Sequence, residues 1–290
     1  MNQHAALKAD ESRGDALQVD SSPVSPVALE RAAVGAALAA GEVLRRRFRE
    51  PRLRVETKGL HDFVTEVDRE AEAAAVGYIR SHYPGHGILA EEGTAAPAGD
   101  GFRWILDPLD GTTNFIHGVP TFCVSVAVED GEGLAAGAIH DPFHGETFEA
   151  HRGGGARLGG SPIACAAPAT MDDALVATGF PFRELKRLDR YLASFEEFVR
   201  STSGIRRAGS AALDLAFVAC GRYDGFWEVG LSPWDVAAGA LLVREAGGIV
   251  SDVLGGAGFM ERGDVLAAGS GLHPQMLRIT RAAFGEGEGR

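Results

Sequence analysis

The stretch from Trp104 to Phe115, Trp-Ile-Leu-Asp-Pro-Leu-Asp-Gly-Thr-Thr-Asn-Phe, constrains this chain more than any other. Trp104, Ile105 and Leu106 read as the end of a buried strand, and two carboxylates, Asp107 and Asp110, follow three residues apart. Pro108 has no N–H to donate and fixes its own φ, so the strand is predicted to stop there with both acids at its end. Gly111 permits a sharp turn or the close approach of a ligand, and Thr112 or Thr113 suits the N-cap of a short helix. Free N–H groups at such a helix start attract an anion, and the same residues offer oxygen ligands to a hard cation. Metal-assisted phosphoryl chemistry is one reading of the stretch. Ordinary turn chemistry, in which the Asp side chains cap nearby N–H groups, is the other. A calcium loop of the EF-hand kind fits poorly, because Gly118 stands where the closing Glu would be needed.

The rest of the chain narrows the choice. It has 290 residues, 45% of them hydrophobic, enough for one large layered unit or two tightly packed subdomains. Its 40 acids against 28 Lys and Arg leave a net charge of −12, which opposes general binding along a nucleic-acid backbone. The one basic cluster, Arg45, Arg46, Arg47, Arg49, Arg52 and Arg54, closes a predicted amphipathic helix over 27–48, where cations suit the helix end; a nucleic-acid or protein contact is the alternative. Three cysteines without Cys-x-x-Cys spacing exclude a disulfide framework or zinc knuckle. No apolar run approaches the roughly 20 residues of a membrane span, and a cytoplasmic location is the simplest expectation.

Residues 1–25 are predicted to be a flexible tail, being polar and without a sustained period. A second helix follows Val67, Ala71, Ala75 and Ile79 and stops at Pro84-Gly85. A short strand over 87–90 then leads into a further acid pair, Glu91-Glu92. From 122 to 163 the pattern is an antiparallel meander. Beyond it, strands near 174–177, 224–229, 248–252 and 265–268 alternate with helices over 183–200, 210–220, 233–246 and 273–284.

The second informative stretch is Ser232-Pro233-Trp234-Asp235-Val236-Ala237-Ala238-Gly239. Pro233 suits a helix's first turn, and Asp235 in that turn is favoured by the macrodipole, which is reason enough for an acid there. Small residues at 237–239 would also let the helix approach another backbone closely, so that Asp235 could share a cation with a remote loop.

Asp107-Pro108-Leu109-Asp110-Gly111-Thr112-Thr113-Asn114 and Trp234-Asp235-Val236-Ala237-Ala238-Gly239 together resemble the two signatures of the inositol monophosphatase family of magnesium-dependent, lithium-sensitive phosphatases. The resemblance runs from about residue 27 to the C-terminus and is nearest the family's bacterial SuhB-like branch. It implies an α+β fold, a layered α-β-α-β-α sandwich of the inositol monophosphatase and fructose bisphosphatase type. It also implies a single catalytic unit over 26–290, built of two tightly packed subdomains meeting near 170, and usually a homodimer.

By the same resemblance, Glu91, Asp107 and the Leu109 carbonyl would hold one magnesium ion, and Asp107, Asp110 and Asp235 a second. A weaker third ion would rest on Glu91. Asp62 and Thr112 match the pair that orients the attacking water, and Lys58 matches a basic residue near the site; without the resemblance Lys58 is a surface lysine before a turn. Phosphate would lie on the Gly111 and Thr112 N–H groups, and substrate hydroxyls on Asp110, Ala211 and Glu228, the last otherwise a strand-end acid. The implied activity is hydrolysis of inositol monophosphate by a metal-activated water. Histidinol phosphate, sugar bisphosphates and phosphoadenosine nucleotides are the alternative substrates within the superfamily, and contact with the transcription machinery or RNA is the alternative role.

Overall fold

The computed structural model describes residues 24–50, 54–59, 62–167, 170–182 and 184–285, the side chains at 57–59, 62 and 63 excepted. The predicted tail therefore lies almost wholly outside the described residues, as does Arg52.

Helix α1 (Pro26–Arg47) opens on Ser25, whose hydroxyl accepts from the Ala28 N–H at 3.2 Å. Its buried alanines 32, 33, 36, 37 and 40 make a thin face, and α2 (Glu66–His82) packs along it. Between the two helices lies an antiparallel hairpin, β1 (Val55–Gly59) and β2 (Asp62–Thr65). Its charged first strand carries no apolar alternation, so the sequence did not announce it. The chain then builds β3 (Gly87–Ala90), β4 (Ala95–Ala96), β5 (Arg103–Asp110), α3 (Thr112–Ile116), β6 (Cys123–Asp130), β7 (Gly133–Asp141), β8 (Glu146–His151), β9 (Ala156–Leu158) and β10 (Ser161–Pro162). These strands form one sheet in the order β10-β9-β8-β7-β6-β5-β3-β4, antiparallel throughout except that β3 runs parallel to β5.

Helix and strand alternate afterwards: β11 (Leu175–Thr178), α4 (Leu188–Ser201), β12 (Gly204–Arg206), α5 (Ala211–Ala219), β13 (Gly225–Glu228), α6 (Pro233–Glu245), β14 (Gly248–Ser251), α7 (Phe259–Arg262), β15 (Val265–Gly269) and α8 (His273–Phe284). The second sheet is ordered β12-β11-β13-β15-β14, with β11 parallel to both its neighbours.

Three apolar cores bind five layers. The first lies between α1, α2 and one face of the large sheet, and holds Leu44, Trp104 and Leu106. The second encloses α5 and α6 between the two sheets. The third joins the small sheet to α4 and α8 through Tyr191, Phe198 and Trp227. The order is α-β-α-β-α, the layered α+β arrangement expected.

Two local expectations fail. Strand β5 does not end at Pro108 but runs on to Asp110, with a register irregularity between Asp107 and Asp110 against β6. A bulge leaves one position without a ladder bond, and Pro108 sits in that irregular segment. The N-cap of α3 is Gly111, at φ 101°, and neither Thr112 nor Thr113 caps it. A Cβ at Gly111 would stand 2.9 Å from the Thr121 carbonyl oxygen, so the turn needs glycine on two grounds.

The arginines at the end of α1 are answered by acids. Arg45 pairs with Glu42 at 2.9 Å and Arg46 with Glu70 at 2.5 Å, while Arg47 reaches Glu50, Glu66 and Glu70. Among the described residues no helix is long and apolar enough to cross a membrane.

Close helix packing in the middle layer depends on Gly239 of α6, where a Cβ would fall 2.5 Å from the Leu215 Cβ of α5. Gly239→Ala is expected to lower stability by at least about 1 kcal/mol in urea unfolding, despite alanine's better helix propensity. Gly271→Ala, with nothing within 4 Å, serves as the control and should change little.

Candidate active site

Strand ends and helix starts converge on one cavity of about 350 Å³. Because β3 and β5 are parallel and Ala90 lies beside Leu106, the residues that follow, Glu91 and Asp107, emerge on the same side. The turn carrying Glu91 is tied down by buried Glu72 of α2, whose carboxylate accepts from the Glu92 N–H at 2.7 Å and the Thr94 N–H at 3.1 Å. In the second sheet β11 and β13 are also parallel, and their ends deliver Gly179–Phe182 and Glu228 to the opposite wall. Gly179 makes room for Glu228, since a Cβ there would overlap its carboxylate at 2.0 Å.

Asp235 reaches the large sheet through α6. It is the third residue of that helix and closes a capping box with Ser232, accepting from the Ser232 N–H at 2.7 Å. Ser125, opposite Asp107 on β6, donates to the Trp234 carbonyl at 3.0 Å and so fixes the helix start beside β5. Asp107, Asp110 and Asp235 are all buried, and an oxygen from each lies within 4.8 Å of the others. Among the described residues theirs is the cluster with metal-holding geometry; Glu91 lines the same cavity without joining it at that spacing.

Burying like charges together has a cost that shows in their proton affinity. Desolvation, then Glu91, Asp110 and Asp235, push Asp107 far above the usual carboxylate range. Desolvation raises Asp110 to about 6, although Ser210 and the N–H groups of Ala211 and Ala212 favour its charged form. Its Oδ2 accepts from the Ser210 hydroxyl and the Ala212 N–H, both at 2.7 Å, so Asp110 caps α5 with one oxygen and leaves Oδ1 for a cation. The donor set is all oxygen. That chemistry fits a hard divalent ion such as magnesium and disfavours zinc.

The Thr112 hydroxyl donates to Asp68 Oδ1 and to the Leu109 carbonyl, each at 3.1 Å. Among the described residues its carboxylate partner is Asp68; the side chain of Asp62, the partner expected, lies outside them. Asp62 belongs to β2, whereas Asp68 is the third residue of α2 and is aimed by a capping box, accepting from the Thr65 N–H at 2.9 Å and its hydroxyl at 2.5 Å. The signal was available in Thr65-Glu66-Val67-Asp68, a capping-box pattern before a helix. Burial raises the Asp68 proton affinity. The side chains of Lys58 and Asp62 lie outside the described residues.

Gly111, Thr112, Ala211 and Glu228 all line the cavity, as does the Leu109 backbone held by Asp107 Oδ1 at 2.9 Å. Sequence reasoning missed Phe180, Phe182 and Arg207, which form the outer rim, with the Arg207 guanidinium 5.5 and 5.3 Å above the two rings. It also missed Asp214, buried in the first turn of α5 with Oδ1 unpartnered and its proton affinity raised by desolvation and by Glu228. No local motif marks any of the four.

Comparison with known proteins agrees with this geometry. The sequence profile of the inositol monophosphatase family matches residues 26–283. The chain is 49% identical over 251 residues to the Nus factor SuhB of Pseudomonas aeruginosa, covering 84% of this chain and 93% of that one. It is 43% identical over 256 residues to an inositol-1-monophosphatase of Mesorhizobium japonicum, covering 88% and 96%. The crystal structure of the extragenic suppressor protein suhB from Bartonella henselae superposes with a TM-score of 0.84 at 41% identity, over 87% of this chain and 97% of that one.

The raised proton affinity of Asp110 has a signed consequence for metal-free protein. Between pH 3.8 and about 6 the folded state keeps a proton that the unfolded chain releases, so this group's stabilising contribution is lost as pH rises through that window. Asp110→Asn has no such loss, and its stability advantage over the parent chain should grow from pH 4 to 6 and then level off. Added divalent cation should reverse the order at pH 8. Thermal midpoints of both proteins across this range, with chelator or magnesium, provide the check.

Proposed function

Because this chain belongs to the inositol monophosphatase family, we propose that it hydrolyses inositol monophosphate to inositol and phosphate in a magnesium-dependent reaction. The observation that carries this reading is the meeting of Asp107, Asp110 and Asp235, from β5 and α6, in one buried oxygen cluster beside the starts of α3 and α5. When bound, magnesium would supply a Lewis acid that carries phosphate charge and lowers the pKa of a water. Asp107, Asp110, Asp235, Glu91 and the Leu109 carbonyl would hold two or three such ions.

This chain's own groups account for the proton. A water donating to Thr112 Oγ1 gives up its proton as Thr112 passes its own to Asp68 Oδ1, whose raised affinity suits it as the acceptor. The water oxygen bonds to phosphorus, the ester P–O bond breaks, and the leaving inositol oxygen takes a proton from solvent water while Asp68 returns its own to solvent, so that the products are the alcohol and phosphate. Gly111 and Thr112 N–H groups hold the phosphate oxygens, while Ala211 and Glu228 face the substrate's hydroxyls. A homodimer belongs to this reading, supported by exposed Leu185, Leu192 and Val199, seven residues apart along the outer face of α4 and its approach.

A second role, contact with the transcription machinery, is favoured by the relatives named Nus factor SuhB. The paired arginines of α1 speak against a general RNA-binding patch there. Recovery of RNA polymerase by a catalytically disabled variant would support the second role, and its absence from the pull-down would oppose it.

Asp235→Asn is expected to cut turnover at least about 10²-fold, since it removes a charged ligand from a shared cation, and full activity in chelator would sink the metal assignment. Thr112→Ala should lower kcat by about 10² to 10⁴ with magnesium affinity nearly unchanged. Glu228→Gln should mainly raise KM for inositol phosphate and spare a small aryl phosphate; equal losses on both would assign Glu228 to the fold or metal cluster.

A further inference from the structure

The cavity carries an unexplained cation. Glu91, Asp107, Asp110, Glu228 and Asp235 give it five carboxylates, and Arg207 is the basic residue lining it among those described. The Arg207 guanidinium makes no hydrogen bond or ion pair with any described residue, and its contacts are with the faces of Phe180 and Phe182. Both rings are more than a third exposed, so the charge is placed by stacking while its N–H edges remain open.

The placement is not left to a loose loop. The Asn114 amide of α3 donates to the Ala208 carbonyl at 2.9 Å and to the Thr121 carbonyl at 2.7 Å, clamping the 207–210 segment onto the turn that follows the acid cluster. Gly209 stands at φ 90°, and a Cβ there would come within 2.8 Å of Arg207 Nη1, so the side chain lies back over a residue that itself lines the cavity. Three residues on, Ser210 bonds Asp110. One short segment therefore holds the acid cluster at one end and a cation at the other.

We propose that Arg207 is a specificity-determining residue that binds a second anionic group, phosphate or carboxylate, at the end of the substrate remote from the reacting phosphate. The inference rests on the phosphatase reading above and extends its substrate class to doubly anionic polyols. A neutral polyol satisfies the acceptor Glu228 but offers a guanidinium only neutral oxygens. A planar fork of five donors that never loses its charge is matched by two oxygens of one anion, and such bonds are about twice as strong as neutral ones. The surrounding carboxylates make the anion's recognition selective: away from Arg207 it meets repulsion, which fixes the substrate's direction in the site.

The test compares the parent enzyme with Arg207→Gln and Arg207→Lys on four substrates at saturating magnesium: an aryl phosphate, inositol monophosphate, an inositol bisphosphate and a phosphorylated sugar acid. Arg207→Gln is expected to raise KM about tenfold or more for the last two, with kcat within about twofold and the first two unaffected. Arg207→Lys should recover part of the loss, and the larger of the two KM shifts identifies the preferred anion. Equal shifts on all four substrates, or none, would overturn the proposal. Equilibrium binding of hydrolysis-resistant bisphosphonate and monophosphonate analogues is measured on the same proteins. If the parent chain hydrolyses nothing, the phosphatase reading fails, and loss or retention of bisphosphonate preference in Arg207→Gln still decides the role of Arg207.

Discussion

The structure turns on carboxylates held together against their own repulsion. Asp107 sits in a nearly water-free position near the end of a central strand, Asp110 follows it half-buried as a whole residue, and Asp235 is brought to them from a different sheet's helix. Nothing about folding favours such a cluster, since desolvation and mutual charge both oppose ionisation. What makes it tolerable is that each member is engaged on one side by a fixed donor. Leu109 N–H serves Asp107, Ser210 and Ala212 serve Asp110, and Ser232 N–H serves Asp235.

Those donors lie mostly at helix starts, and that explains the layering around them. The N-terminal ends of α5 and α6 occupy the middle layer, where each sheet can present its strand ends to them. Small residues at the helix contacts bring the backbones near enough for short side chains to meet: Gly239 lies against Leu215, and Gly137 of β7 against Ala238. An Asp reaches only a few ångströms, so a bulkier middle layer would separate Asp235 from Asp107 whatever the motif said. The same economy of reach applies to Asp68, which touches Thr112 because Thr65 has already fixed its rotamer through the capping box.

Much of this was legible before folding was considered. The helices and the antiparallel meander follow from apolar periodicity, and the layered α+β class was implied by the family resemblance that two motifs carry. The hairpin at 55–65 was not legible, because its strands lack an alternating pattern. Pro108 was misread because its missing N–H argues for a strand end unless a bulge absorbs it, and a bulge is a property of the pair and not of one strand. Gly111 displaced the threonines as N-cap for a related reason: the close approach of Thr121, ten residues on, sets that turn's conformation.

The sequence by itself determined which residues could do chemistry here, since the clustered Asp, Gly and Thr types at fixed spacing carry their oxygen donors and free N–H groups wherever the chain goes. It also determined the starts of α2 and α6, where a capping box is written within four residues. Only the tertiary structure decided partnership. Thr112 and Asp68 are 44 positions apart and Asp110 and Ser210 a hundred, so their meeting depends on parallel strands and thin helix contacts that no local pattern encodes. Arg207 became visible only as a charge lining the cavity, and Asp214 only as a buried carboxylate with an oxygen lacking a hydrogen-bond partner, because lining and burial are properties of the packed molecule.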